Sequence, residues 1–381
     1  MERITKILLM DNRRNNIIIS GGGTGGHVFP AIAIADALRE RDKNINILFV
    51  GAKHKMEMDR VPDAGYSIVG LPVTGFQRRM SYKNLLFFFN LFVSVLQARK
   101  IVKRFKPDAV VGVGGYASGP VVRAAATKGV PVLIQEQNSY AGVTNRLLAK
   151  KAARICVAYE GMDKYFPAEK IVLTGNPVRR DLFDLSSNRE EALSVFGIKG
   201  ERKVLLVLGG SLGAGSINNA ISENIEMIRQ SGIELIWQTG SYGIRAAQEL
   251  IARTGFDRVH VYQFISRMDL AYALADLVIS RAGAGTISEL CLTGKPAILV
   301  PSPNVAEDHQ TKNARALVER AAAVLVEDDL AESRLVPAAL ELIDDNSRLA
   351  QFKENIAKMA LPDSASRIAD EIFKLIKQTA H

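Results

Sequence analysis

The chain is poor in cysteine. Its 381 residues include two, Cys156 and Cys291, each in or beside an apolar segment. That argues against a disulfide framework and fits a reducing compartment. With five scattered histidines, so few thiols also argue against a metal site. No apolar run reaches the ~18–20 residues that span a bilayer. Residues 1–15 are polar, carry Arg13 and Arg14, and lack the pattern of a secretory leader, so they are read as an extension. Low-complexity tracts are missing too, and 48% hydrophobic residues exclude a disordered chain.

Acidic residues are absent between Asp63 and Asp108, within a chain of net charge +9. The same stretch holds Arg78, Arg79, Lys83, Arg99, Lys100, Lys103, Arg104 and Lys106 around an apolar centre, Leu85–Leu96. The spacing predicts one helix over about 81–105, apolar in the middle and basic at both ends. Two readings stand: a helix packed on a sheet with charged ends in water, or a helix that touches an anionic bilayer. A combination is expected, one face in the core and Phe87, Phe88, Leu91 and Phe92 toward lipid. Nucleic acid is not an expected partner, because the cations are not interleaved with aromatics on a strand platform.

Apolar runs alternate with helical stretches from end to end, which implies α/β architecture with parallel sheets. Runs at 17–20, 45–50, 67–71, 109–113, 131–135 and 154–158 read as strands, with helices at 30–41 and 141–151 among them. Runs at 171–174, 204–208, 233–238, 259–262, 276–280, 297–300 and 323–326 continue the pattern. Helices at about 216–231, 243–254, 268–275, 285–293, 308–320 and 333–344 separate them, and a last amphipathic helix covers 363–378. Two strands run into glycines: Ile17–Ser20 into Gly21–Gly26, and Val204–Leu208 into Gly209–Gly215. A strand, a glycine turn and a helix N-terminus direct backbone N–H groups at one ligand, usually a phosphate. Length and the paired loops predict two nucleotide-fold domains facing across a cleft, 1–177 and 178–362, with a hinge at Gly175–Val178.

The motifs are specific enough to place the chain by resemblance. Gly22-Gly23-Thr24-Gly25-Gly26-His27-Val28-Phe29-Pro30 resembles the opening motif of the MurG family. These are peptidoglycan N-acetylglucosaminyltransferases that convert lipid I to lipid II. Further matches follow in order: Gly114–Pro120, Glu136–Asn138, Gly175–Arg179, Gly209–Ala214, Arg281–Glu289 and Asp308–Gln310. The likeness covers all but about the first 15 residues. It implies the GT-B fold, with residues 363–381 packing back on the first domain. It also implies inverting transfer of GlcNAc from UDP-GlcNAc to the C4 hydroxyl of undecaprenyl-diphosphate-linked MurNAc-pentapeptide. A peripheral enzyme at the cytoplasmic face of the plasma membrane follows, serving cell-wall biogenesis, cell shape and division. Two positions depart from the family pattern: Gln135 stands where many relatives have His, and His309 where some have Gln.

Sugar transfer needs a proton removed from the acceptor oxygen and stabilisation of the departing diphosphate. The chain has no Asp-x-Asp, with which many sugar-nucleotide transferases hold a metal; no metal and no cofactor are expected. A helix N-terminus can take the second task. Gly283-Ala284-Gly285-Thr286, opening a helix after 276–280, is the expected diphosphate loop, with Ser211 as a second donor. Glu289, one turn into that helix, suits the ribose hydroxyls, a role the resemblance supports. By resemblance, the backbone at Ile265 reads the uracil, and Arg179 and Asn138 contact the nucleotide sugar. His309 and Gln310 face the GlcNAc hydroxyls, or else cap a helix. His27 is the candidate base, or alternatively a phosphate contact, with Thr24, Gly25 and Gly26 cradling donor or lipid diphosphate. Gly114, Gly115, Tyr116 and Ser118 form a third glycine-rich turn suited to the acceptor pyrophosphate.

Three other readings use the same residues. A non-catalytic nucleotide-binding module is one, against which His27 with a complete donor loop argues. A UDP-GlcNAc 2-epimerase or another glycolipid synthase keeps the fold and changes the chemistry. A dinucleotide oxidoreductase would need its acidic residue about 20 positions after the first loop. Asp36, Glu40 and Asp42 fall in or just after the first helix rather than at a strand end near Val50.

Overall fold

The computed structural model describes residues 14–73, 83–178, 182, 189–210, 212–305 and 308–379, without the side chains of 83–88. The chain forms two compact units. The first comprises Met1–Gln137, Ala141–Pro177 and Asp363–His381; the second comprises Asn138–Tyr140 and Val178–Pro362.

The first unit is built on seven parallel strands: β1 (Asn16–Ser20), β2 (Asn46–Ala52), β3 (Ser67–Leu71), β4 (Ala109–Gly112), β5 (Val132–Glu136), β6 (Arg154–Val157) and β7 (Ile171–Leu173). Their order is β3-β2-β1-β4-β5-β6-β7. Ile17, Ile18 and Ile19 are fully buried. A strand covered on both faces must be apolar without alternation, which is why β1 reads as an unbroken run. The run at 171–174 completes this sheet by pairing with β6. The second unit holds six parallel strands: β8 (Val204–Leu208), β9 (Glu234–Gln238), β10 (Val259–Tyr262), β11 (Leu277–Ser280), β12 (Ala297–Leu299) and β13 (Ala323–Leu325). Their order is β10-β9-β8-β11-β12-β13.

In each sheet the winding direction reverses once, between β1 and β4 and between β8 and β11. A doubly wound sheet binds ligands at the carboxyl ends of the strands flanking such a reversal. Gly21–Gly26 follows β1 and Gly114–Gly115 follows β4; Gly209–Ala214 follows β8 and Gly283–Thr286 follows β11. All four glycine turns thus flank the two switch points.

Several helices differ from the pattern reading. The first begins at Gly25, not at Pro30, because Thr24 O already accepts from His27 N and Val28 N. The expected helix 141–151 is a short helix, Val143–Leu148, followed by a tight turn over Ala149–Lys151. The expected 216–231 helix divides at Asn224, whose side chain donates to Ala220 O at 2.9 Å and Glu332 O at 3.0 Å. Helices Glu57–Asp63, Arg189–Phe196 and Asn346–Ala357 were not legible from periodicity. The terminal helix Ser364–Thr379 packs on Gly25–Arg41 in the first unit. Ile368, Ala369, Ile372 and Leu375 join Ile34, Ala35 and Leu38 in one core cluster. Each buried isoleucine there contributes about 1.5–3 kcal/mol of transfer free energy. Arg41 Nη2 meets Asp370 Oδ1 at 3.0 Å at its rim.

Candidate functional site

In the first unit, buried Ser20 ends β1 and its hydroxyl donates to Val50 O at 2.9 Å. Gly21 cannot carry a side chain, since a Cβ would lie 2.1 Å from Val113 Cγ2. Gly23 follows at φ +93°, a region glycine enters without cost. Thr24 caps the helix with its backbone, while its hydroxyl lies 3.0 Å from His27 Nδ1. When Nδ1–H donates to Thr24 Oγ1, the lone pair sits on Nε2, the arrangement that a general base requires. Gly25 and Gly26 occupy the first turn, where amides have no intrahelical acceptor.

The turn after β4 packs directly on this loop. A Cβ on Gly115 would come within 2.3 Å of Gly22 O, so the two glycine turns touch backbone to backbone. Tyr116 is 53% exposed. Ser118, expected to meet a pyrophosphate, is fully buried and donates to Gly115 O at 3.0 Å, so its hydroxyl holds the turn instead. Beneath lie Glu136 and Asn145, also buried. Glu136 Oε2 accepts from Asn145 Nδ2 at 2.8 Å and from Gly142 N at 3.0 Å. Gln135, at the position where many relatives have His, is buried and bonds Asn176 at 3.0 Å, a structural position.

In the second unit, Gly283 is the extended N-cap of the helix Ala284–Thr293. That helix opens directly after β11, and its first turn, Ala284-Gly285-Thr286, carries no acidic side chain to occupy its amides. An anion placed there gains hydrogen bonds and about 0.3–2 kcal/mol from the helix dipole. Tyr272, fully buried, donates to Glu289 Oε2 at 3.0 Å and fixes the carboxylate one turn into the helix. Sequence reasoning missed Tyr272, which sits 17 residues away on another helix. It also missed a function for Arg281. The guanidinium donates to Val300 O at 3.1 Å, Pro301 O at 3.3 Å, Ser216 Oγ at 3.0 Å and the Asp328 carboxylate. Those bonds tie the loop after β11 to the residues that follow β12 and to the helix after β8.

Ile265 is buried and its N–H donates to Gln238 Oε1 at 2.9 Å. Gln310 Oε1 accepts from Ser302 N at 2.8 Å, a bond that shapes the loop before its own helix. His309 begins that helix, and its ring lies 6.2 Å from Tyr140. Asn138 belongs to this unit, where its Oδ1 accepts from Asn313 Nδ2 at 3.2 Å. Arg179 and Ser211 lie outside the described residues.

The predicted basic, phenylalanine-rich helix is Lys83–Phe105. Ser94, Ala98 and Val102 form its buried face. Phe89, Phe92 and Leu96 are 63%, 62% and 47% exposed, and Leu91 is half-buried. The side chains of Phe87 and Phe88 lie outside those described. Among the described residues, no helix is long and apolar enough to cross a membrane.

Residues 17–157 match the glycosyltransferase family 28 N-terminal domain, and residues 204–368 match the glycosyltransferase family 28 C-terminal domain. Curated relatives carry the name UDP-N-acetylglucosamine–N-acetylmuramyl-(pentapeptide) pyrophosphoryl-undecaprenol N-acetylglucosamine transferase. That of Parabacteroides distasonis is 58% identical over 365 residues, 96% of this chain and 99% of the relative. That of Porphyromonas gingivalis (strain ATCC BAA-308 / W83) is 53% identical over 97% of this chain and 98% of the relative. The crystal structure of Acinetobacter baumannii MurG superposes with a TM-score of 0.74 at 28% identity, over 94% of this chain and 99% of that one. UDP-GlcNAc 2-epimerase from Neisseria meningitidis superposes at 0.65 with 15% identity, over 95% of this chain and all of that one, a likeness of fold alone. Sequence identity of this extent over both domains removes the oxidoreductase reading: the chain belongs to the MurG family of N-acetylglucosamine transferases, within glycosyltransferase family 28.

Proposed function

We propose that the protein transfers GlcNAc from UDP-GlcNAc, with inversion, to the C4 hydroxyl of MurNAc-pentapeptide-pyrophosphoryl-undecaprenol, converting lipid I to lipid II. The observation that carries this reading is the helix N-terminus at Gly283–Thr286 with Glu289 held one turn in by Tyr272. Amide donors for an anion and a carboxylate acceptor for ribose hydroxyls stand there in a chain 58% identical to a transferase of that name.

The chemistry follows from these groups. His27 Nε2 takes the proton of the acceptor hydroxyl while that oxygen attacks the anomeric carbon. The bond from that carbon to the diphosphate oxygen breaks, and UDP leaves as an anion. The amides at Gly283–Thr286, with Ser211 as a further donor, stabilise the growing charge. Glu289 accepts from the ribose hydroxyls, the Ile265 backbone reads uracil, and Arg179 meets the nucleotide. Asn138, His309 and Gln310 address the GlcNAc hydroxyls. Thr24, Gly25 and Gly26 hold the orientation of His27 and meet diphosphate oxygens; Gly114, Gly115 and Tyr116 flank the acceptor pyrophosphate.

The exposed row Phe89, Phe92 and Leu96 shares its helix with Arg99, Lys100, Lys103 and Arg104. That supports peripheral attachment to an anionic membrane at the cytoplasmic face, where a lipid-borne acceptor resides. The product feeds peptidoglycan synthesis and through it cell shape and division.

The test is transfer of labelled GlcNAc from UDP-GlcNAc to a short-chain lipid I analogue, with and without EDTA, for wild type and His27→Ala. Transfer by wild type that survives EDTA, and a fall of about 10²–10⁴-fold in kcat for His27→Ala at unchanged UDP binding, is the expected result. Intact, UDP-binding protein without transfer would sink the lipid I reading and direct attention to 2-epimerisation.

A further inference from the structure

Glu57 stands in a polar run, Lys53-His54-Lys55-Met56-Glu57-Met58-Asp59. In the fold it is 1% exposed and begins the helix Glu57–Asp63 after β2. Burying a carboxylate is costly unless hydrogen bonds or a cation compensate. Among the described residues its compensation is backbone. Oε1 and Oε2 lie 3.1 and 3.0 Å from Gly23 N, and Oε1 also accepts from Ala52 N at 2.9 Å.

This carboxylate fits into the loop from below. A Cβ on Gly22 would stand 2.1 Å from Glu57 Oε1, and one on Gly51 would stand 2.6 Å from Glu57 Cγ. Two glycines thus make room for one side chain. The Gly23 amide, which a phosphate-cradling loop would direct at its ligand, is turned onto the protein's own anion. That amide is therefore not offered to substrate, whereas those of Gly25 and Gly26, at the start of the helix, have no intrahelical acceptor.

Two short paths lead from Glu57 to His27. One runs through Gly23 to Thr24, whose hydroxyl is 3.0 Å from His27 Nδ1. The other runs through Gly22, whose carbonyl packs on Gly115, to Gly114, against which the imidazole lies.

We propose that Glu57 is a positioning residue for the transfer reaction, its buried carboxylate holding the Gly22–Gly23 turn so that Thr24 and His27 present the basic nitrogen to the acceptor. The assignment rests on the glycosyltransferase reading above. Glu57→Gln is the informative variant: it keeps the shape and replaces one of the two acceptor oxygens with an NH₂ donor. With oxygen in the Oε1 position, its NH₂ opposes the Gly23 N–H, donor against donor.

The experiment compares full-length wild type, Glu57→Gln and Val61→Ala. Val61 is buried on the same helix and its side chain has no polar atom to join the loop bonds, so its variant reports the effect of a loosened helix. Expected for Glu57→Gln are a fall in kcat of at least about 30-fold, KM for UDP-GlcNAc within about 3-fold, and unchanged UDP binding. In hydrogen exchange, amides in peptides covering 21–28 should lose protection. Val61→Ala, assayed at a temperature giving equal folded fraction, should keep kcat within about 3-fold. A wild-type kcat in Glu57→Gln, or an equal fall in Val61→Ala, overturns the assignment. If Glu57→Gln does not fold, Glu57→Asp takes its place, with the carboxylate withdrawn by one methylene; unfolding of both variants assigns the group to stability and also overturns positioning. A wild type silent in transfer removes the glycosyltransferase reading, and the exchange result then decides by itself whether Glu57 holds the loop.

Discussion

The imidazole of His27 lies against the α-carbon of Gly114: a Cβ there would stand 2.7 Å from Cδ2 and 2.8 Å from Nε2. Gly114 also adopts φ +94°. Both facts forbid a side chain at a residue 87 positions away in sequence from the candidate base. Gly114→Ala is therefore expected to displace the ring and lower kcat by about 10²-fold or more. Strain at that backbone angle adds about 1–3 kcal/mol of destabilisation. Steady-state kinetics with a parallel thermal melt checks both.

Tyr272 orients Glu289. Tyr272→Phe removes that hydrogen bond to the carboxylate, and should weaken UDP binding by about 0.5–1.5 kcal/mol, roughly 2- to 13-fold. If the hydroxyl acts only through Glu289, it should cost nothing further in a Glu289→Ala background. Calorimetric titration of UDP into both single variants and the double variant settles the coupling.

Burial pulls the Lys295 ammonium down to about 8, although Nζ donates to Ala275 O at 2.8 Å. A lysine in an unfolded chain titrates near ~10.4. Between those values the unfolded state holds more protons, so stability rises with pH across the window from about 8 to ~10.4. Lys295→Met should abolish that rise, read from urea midpoints at pH 7.5, 9 and 10.

Burial likewise pushes both thiols, Cys156 and Cys291, up to about 12. Thiolate is the reactive form. A thiol reagent at pH 8 should find neither cysteine in the native protein and both in 6 M guanidinium, with the reaction followed by absorbance.

Replacing Phe89, Phe92 and Leu96 together by Ser should reduce co-sedimentation with phosphatidylglycerol vesicles by about 10-fold or more and leave UDP binding unchanged. The three side chains are exposed on one helix face. Undiminished sedimentation would count against this row as the membrane contact.

Much of the molecule is legible from local pattern. Unbroken apolar runs such as Ile17–Ile19 and Val204–Leu208 announce strands covered on both faces, because only such burial tolerates loss of alternation. Glycines after those runs announce the turns, and the ordered motifs announce the family. The helix over about 81–105 appears as Lys83–Phe105 because its period and length leave little choice. Pattern alone is weaker at boundaries. Pro30 reads as a helix start, yet Thr24 O sets the start at Gly25.

What no local pattern reveals is which distant groups meet. Glu57 sits near Lys53 and Lys55 in sequence, with no local motif to single it out. Only the meeting of β1 and β2 puts it under Gly22 and Gly23. Ser118 reads as a ligand hydroxyl, and only packing of the turn after β4 commits it to Gly115. Tyr272 and Arg281 show no signal by spacing, since each acts on a partner from another element. The sequence by itself determined most of the strands, the glycine turns and the family, because those depend on backbone freedom and periodicity over a few residues. Tertiary structure alone decided which turns lie together and which buried side chains hold them. Those contacts arise from strand order, which in the first sheet sets β1 between β2 and β4, and strand order is a global property of the sheet.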